Sequence, residues 1–272
     1  MRAATCRLLL ALLLSATGAA AKDLSFTATG DGPRSEADWM LLARQIEQDN
    51  TDGTTAFLLH LGDIWKGTER LPESHYLQVA ALLRTSQAPV YIVPGDNEWT
   101  DLVNPAEGWE FWTRHLLRLD AHWQDKPDVS RQAGRKENMA WLERGVLMIG
   151  VNMVGGEVKD LTAWHARHEA GAAWAVEQLK AKGGRARAVV IFAQAKPKAH
   201  HEDFFAPVVE ALRDYGKPAM YLHGDGHKYE VEPGWRLPNL TRVQVDQVEK
   251  ARPLLITVGD GPQPFSFDRR LP

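Results

Sequence analysis

Short apolar runs in this sequence repeatedly stop on a glycine followed by an aspartate, as in LSFTATGD ending at Asp31, AFLLHLGD at Asp63, VYIVPGD at Asp96 and AMYLHGD at Asp225. His227 stands two residues after the last. A glycine lets the backbone turn sharply and swing the next side chain inward. Taken singly, a Gly-Asp pair at a strand end is an ordinary turn or a helix N-cap. Taken together, convergent carboxylates repel one another unless their pKa values rise or a cation holds them. A divalent metal is the simpler solution.

The elements that must position these residues can be read from periodicity. The runs before Asp31, Asp63 and Asp96 read as buried strands, separated by helical segments over Ser35–Gln48 and Glu73–Ser86 that are long enough for parallel crossovers. Downstream, the pattern predicts a helix over Pro105–Asp120, a strand over Val146–Val154 and a long helix over Leu161–Lys182, stopped by Gly183-Gly184 acting as glycine terminators. A strand over Ala188–Ala193 and a helix over Asp203–Tyr215 precede the Asp225 strand. After His227 come only short strands, Leu240–Val245, Leu254–Val258 and Phe265–Phe267. Strand-helix units succeeded by a run of strands imply an α/β (α+β) domain with packed sheets flanked by helices. Ligands in such sheets bind at the carboxyl ends of the strands, where the four aspartates fall. Of the ten tryptophans, Trp39, Trp112, Trp164 and Trp174 lie on helix faces and are read as core packing, since large aromatics dominate burial.

The 272 residues, 44% apolar and 25% charged, suffice for one large core. Residues 1–21 read as a secretory signal peptide, with Arg2 and Arg7, an apolar run Leu8–Leu14 and Ala19-Ala20-Ala21 before Lys22. That run is too short to span a bilayer. The expectation is a periplasmic or secreted protein without a membrane anchor, whose domain occupies residues 22–272. Its one cysteine, Cys6, leaves with the leader, so disulfides, thiolate ligands and a cysteine nucleophile are excluded and histidines and carboxylates must carry any metal chemistry. Without the leader, 30 basic residues face 35 acidic ones, an unpromising balance for nucleic-acid binding.

The order Gly30-Asp31, Gly62-Asp63, Gly95-Asp96-Asn97-Glu98, Gln194 and Gly224-Asp225-Gly226-His227 resembles that of the calcineurin-like metallophosphoesterases over the whole mature chain. The family's blocks run D-x-H, GD, GNH(D/E), H and GHxH, in a four-layer αββα fold with two mixed β-sheets packed face to face. The resemblance implies that Asp31, Asp63 and His227 hold a first metal, with Asp63 bridging to a second held by Asp96, Gln194 and Asp225. This chain departs from the pattern at several positions. Pro33 stands where the first block has histidine, Asp96 replaces asparagine, Gln194 and Asp225 replace histidines, and Asn97 replaces the histidine that assists the leaving group. The substitutes at the second metal all offer oxygen. GDNEWTD at 95–101, Gln194-Ala195 and GD-x-H at 224–227 together look like a variant subset of the family.

The resemblance implies an exported hydrolase acting on small phosphate mono- or diesters through a metal-bound hydroxide, with Asp63 and Asn97 at the chemistry. The alternative is a weak or inactive metal- or ligand-binding module on the same scaffold. Oxygen ligands favour Mg²⁺ or Mn²⁺ over zinc or iron, with Ca²⁺ acceptable, as one or two ions. An amide at position 97 donates a hydrogen bond but no proton, so a general-acid contribution of roughly 10²–10⁴ is forfeited. Glu98, Trp99, His201 and His223 are candidates for supporting the ligands or touching substrate. His60 and His200 join His201 and His223 as candidates to stand in for the missing histidine, and Asp101 is expected to cap a turn.

Overall fold

The computed structural model describes residues 23–67 and 70–271, so the expected leader lies outside the described residues. The strands are β1 (Leu24–Thr29), β2 (Leu58–His60), β3 (Val90–Ile92), β4 (Ser130–Gln132), β5 (Arg135–Glu143), β6 (Val146–Gly150), β7 (Ala188–Ala193), β8 (Ala219–His223), β9 (Glu230–Pro233), β10 (Leu240–Gln244), β11 (Leu254–Val258) and β12 (Phe265–Asp268). The α-helices are α1 (Glu36–Asp52), α2 (Glu73–Leu83), α3 (Pro105–His115), α4 (Leu161–Lys182) and α5 (Glu202–Tyr215).

Two mixed sheets form, in the orders β12-β11-β1-β2-β3 and β4-β5-β6-β7-β8-β10-β9. β1, β2 and β3 run parallel in the first, as do β6, β7, β8 and β10 in the second, while β11, β12, β5, β4 and β9 join antiparallel. Alternation along each strand builds three cores. Leu59 and Tyr91 point between the sheets, with Phe26, Trp141, Phe192 and Met220. Leu58, Val90 and Ile92 point the other way, against Leu42 and Ile46 of α1, Tyr76 of α2 and Trp112 of α3. Val189, Ile191 and Tyr221 cover the far sheet under Ala172 and Ala175 of α4 and Phe204 of α5. Helix, sheet, sheet, helix is therefore the layer order, as the resemblance implied. No helix among the described residues is long and apolar enough to cross a membrane.

Local chemistry sets the crossovers. Ser35 accepts the Asp38 N–H (3.2 Å) at the start of α1, and Gly53 ends that helix at φ 59°, the left-handed C-cap that glycine favours. Asn104 accepts the Glu107 N–H (3.4 Å), and Pro105 occupies the first turn of α3. That helix stops at His115 and the chain resumes as a short 3₁₀ turn over Leu119–His122, so one helix to Asp120 was too long an expectation. Gly183 does not terminate α4 in the left-handed region but continues at φ −59° into a 3₁₀ turn. The sequence reading missed β4, β5 and β9. β5 begins with Arg135-Lys136-Glu137-Asn138, polar enough to hide its alternation, although Arg144-Gly145 (φ 45° and 75°) closes its hairpin with β6 through the positive-φ pair that such two-residue turns require. Trp112, Trp164 and Trp174 are buried and Trp39 is partly so, as core residues.

Candidate metal centre

The Gly-Asp pairs lie just beyond the carboxyl ends of β1, β2, β3 and β8, with Gln194 one residue past β7. Asp31, Asp63, Asp225 and His227 adopt φ of 56°, 61°, 65° and 58°. That left-handed region costs a non-glycine residue about 1–2 kcal/mol, least for aspartate. Strain of this kind concentrates where surrounding structure holds a side chain for a purpose. Gly95 makes room for one of them, because a Cβ there would fall on the Asp63 carboxylate.

On the side of the first sheet, ligand atoms of Asp31, Asp63 and His227 all lie within 4.8 Å of one another. His227 Nε2 is 3.3 Å from Asp31 Oδ1. Asp31 Oδ2 is buried with no hydrogen-bond partner, and a buried carboxylate oxygen left alone is costly unless a cation faces it. These residues therefore fit a metal ion, with two carboxylates and an imidazole as donors. Arg34 reaches into the same place: its Nη2 lies 3.2 Å from Asp31 Oδ1 and 3.2 Å from Asp63 Oδ2. Behind Asp63, the fully buried Glu98 accepts backbone N–H bonds from Gly95 (2.6 Å), Asp63 (3.2 Å) and Ile64 (3.3 Å). Glu98 is thus the brace of the β2 and β3 loops, its pKa raised by burial to about 7. Burial, then Asp96 and Asp31, push the Asp63 carboxyl well above the usual range.

The other side touches the first through the Asp225 N–H, which donates to Asp31 Oδ1 (3.2 Å). Gln194 Oε1 accepts the Gly155 N–H (2.6 Å), which fixes the side-chain orientation and turns Nε2 toward Asp96 Oδ1 (2.6 Å). The oxygen expected to face a second metal is already engaged, and an N–H faces the carboxylate instead. Asp225 Oδ2 accepts the Lys196 N–H (3.0 Å). Gly155 packs closely here, since a Cβ would sit 2.7 Å from Asp225 Oδ2. Burial, then the charges of Asp225 and Asp101, raise Asp96 to about 8, and burial also raises Asp225. Asp101, expected as a cap, makes no capping bond among the described residues; its Oδ1 is buried and unpartnered there.

The histidines offered by the sequence serve as neutral struts. His60 donates from Nε2 to the Gly32 carbonyl (2.9 Å) and accepts the Gly62 N–H at Nδ1 (3.2 Å). His201 bonds the Val154 carbonyl (3.3 Å) and accepts the Lys198 N–H (3.0 Å). His223 bonds the Gly224 carbonyl (2.7 Å), with Arg242 Nη1 on its other nitrogen (3.1 Å). Both nitrogens of His201 and of His223 are thereby spent on holding loops, so neither presents one to substrate. Burial lowers His60 to about 4 and His201 and His223 to about 3, too low for a general acid at neutral pH. His200 meets Trp164 edge to face. Trp99 is held between Trp109, 4.4 Å away, and the Arg167 guanidinium at 5.1 Å. Asn97 donates its backbone N–H to Asp63 Oδ1 (3.4 Å), and its amide packs against Gly67.

Sequence reasoning missed Arg34, Lys196 and Gly155. An arginine three residues past an aspartate in a loop carries no signal of its own, and the other two act through backbone N–H groups that nearly any residue possesses.

No family model matches the chain, and no curated protein resembles it in sequence. Solved structures do resemble it in shape. The 5'-nucleotidase from Candida albicans superposes with a TM-score of 0.57 at 15% identity over 90% of this chain, which spans 51% of that one. GAP50, the anchor in the inner membrane complex of Plasmodium, gives 0.54 at 10% identity over 92% of this chain and 89% of its own. TT1561 of Thermus thermophilus gives 0.52 at 13% over 91% and 99%. The fold, two mixed sheets between helices, is shared with these structures. At these identities the likeness concerns the fold; the Asp31, Asp63 and His227 cluster falls just beyond strand ends of that fold.

Proposed function

We propose that this chain is an exported, metal-dependent phosphoesterase acting on small phosphate mono- or diesters. The observation that carries the reading is the convergence of Asp31, Asp63 and His227 within 4.8 Å around the unpartnered buried Oδ2 of Asp31. Those three residues would hold a divalent ion, Mg²⁺ or Mn²⁺ by the hardness of the oxygen donors; when bound, it would neutralise phosphoryl charge and acidify water. Asp31 and Asp63 orient that charge through their strained backbones, and Glu98 keeps the Asp63 loop from relaxing. Asn97 donates a hydrogen bond to a phosphoryl oxygen without delivering a proton, so the substrates hydrolysed fastest are those with good leaving groups. An N-terminal leader over residues 1–21 would direct the protein to the periplasm or medium.

The test is hydrolysis of p-nitrophenyl phosphate and bis-p-nitrophenyl phosphate with Mg²⁺ or Mn²⁺ present. Asp63→Asn is expected to abolish turnover, and undiminished turnover in that variant or in excess chelator would refute the assignment. Arg34, seated on Asp31 and Asp63, favours a second reading: a binding module that holds a metal or anionic ligand without turnover. Hydrolysis that copurifies with the protein and vanishes in Asp63→Asn eliminates it.

A further inference from the structure

Arg34 stands on the loop between β1 and α1, and its backbone N–H is fixed by Asp38 Oδ2 at 2.9 Å. One nitrogen, Nη2, reaches a carboxylate from each of two neighbouring strand ends, Asp31 and Asp63, at 3.2 Å apiece. The side chain is 15% exposed and those of its partners 0% and 3%, so solvent screens the contact little. A single positive group bridging two buried carboxylates is what a bridging ion would be. The seat is nevertheless incomplete, because Arg34 Nε is buried without a partner and neither carboxylate receives the two-pronged grip of which a guanidinium is capable.

We propose that the Arg34 guanidinium is a tethered cation that takes the first metal's place, so that a divalent ion enters between Asp31 and Asp63 only by displacing it. This rests on reading the cluster as a metal site, not on the hydrolytic activity. Arg34 offsets one of the two carboxylates' negative charges. A displaced guanidinium stays within one side-chain length of the centre, where an anionic substrate must arrive. Metal affinity is thereby set by a competition inside the chain, and the centre binds its ion less tightly than its ligands would allow.

The experiment is titration of the full chain with Mn²⁺ alone, by calorimetry and electron paramagnetic resonance, alongside melting in chelator and in Mn²⁺. Arg34→Met is expected to bind Mn²⁺ at least ~tenfold more tightly, to melt lower than wild type in chelator and to gain more on adding Mn²⁺. A variant that folds only with Mn²⁺ counts as the same result, because the ion then supplies the missing charge. Arg34→Lys keeps the charge and is expected to stay within about threefold of wild type. Arg34→Met binding no tighter than wild type, or failing to fold even with Mn²⁺, overturns the proposal, as does Arg34→Lys tightening as much as Arg34→Met. Absence of Mn²⁺ binding in both wild type and Arg34→Met overturns it too. Intact binding without phosphoester turnover overturns the hydrolase reading alone.

Discussion

The two halves of the centre answer the same electrostatic problem in different ways. Around Asp31 and Asp63, backbone N–H groups of Asp225 and Asn97 reach one oxygen each and burial raises Asp63, but the charge is also met by a side-chain guanidinium, with the imidazole of His227 alongside and one Asp31 oxygen left over. Around Asp96 and Asp225 it is met by fixed donors, the Gln194 amide and the Lys196 N–H, and by protonation, with Asp96 raised to about 8. A charge balanced by a displaceable group can exchange it for a metal, whereas one balanced by hydrogen bonds built into the loops must first break them. Substitution by oxygen-bearing residues is therefore not equivalent to preserving a ligand: Gln194 carries an oxygen, and that oxygen is bonded to Gly155.

This contrast can be broken most decisively by paired variants. Asp31→Asn is expected to weaken Mn²⁺ binding by on the order of 100-fold, as removal of a full charge from a cation's ligands should, whereas Asp96→Asn should cost less than ~tenfold. Calorimetry measures both, and equal losses would mean that the two halves share the ion. Next in size, Gln194→Leu strands the Gly155 N–H and removes the donor to Asp96. It is expected to lower stability in urea by ~2–3 kcal/mol, with Mn²⁺ affinity within a few-fold of wild type; a large affinity loss would place Gln194 among the ligands after all.

The smallest expected effect is on pH. Asp96, about 8 when folded against 3.8 as its ordinary value, binds more protons folded than unfolded between those limits. Its contribution to metal-free stability therefore falls as pH rises through that window. Mn²⁺ must also displace the proton held by Asp63, whose carboxyl burial pushes well above the usual range, so the melting temperature gained on adding Mn²⁺ should grow from pH 5 to pH 8 by about 2–4 °C per kcal/mol of relieved repulsion. The buried histidines do the opposite: His60, lowered to about 4, and His201 and His223, to about 3, lose stability as pH falls below 6.5. They do so with or without metal, so they cancel in the difference. A gain independent of pH would show that Mn²⁺ displaces no proton from either half.

Much of the scaffold was legible because its signals are local. α4 and β7 run over Leu161–Lys182 and Ala188–Ala193, as their periodicity required, and every Gly-Asp pair sits at a strand end. β5 was not legible, because half of it carries polar residues that find their partners only in the sheet: Asn138, for example, accepts the N–H of Asn152 (2.6 Å). Among site residues, Glu98 supports the ligand loops as one of its two readings had it, whereas Asp101, expected to cap a turn, keeps a buried Oδ1 without a partner.

By itself the sequence determined where the carboxylates lie along the chain and that each succeeds a buried strand, because alternation and glycine turns are properties of a few adjacent residues. Only the tertiary structure decided what each side chain does. Gln194 meets Asp96 across 98 residues and Arg34 meets Asp63 across 29. Whether an oxygen faces a cation, a backbone N–H or an arginine depends on which loops the two sheets bring together.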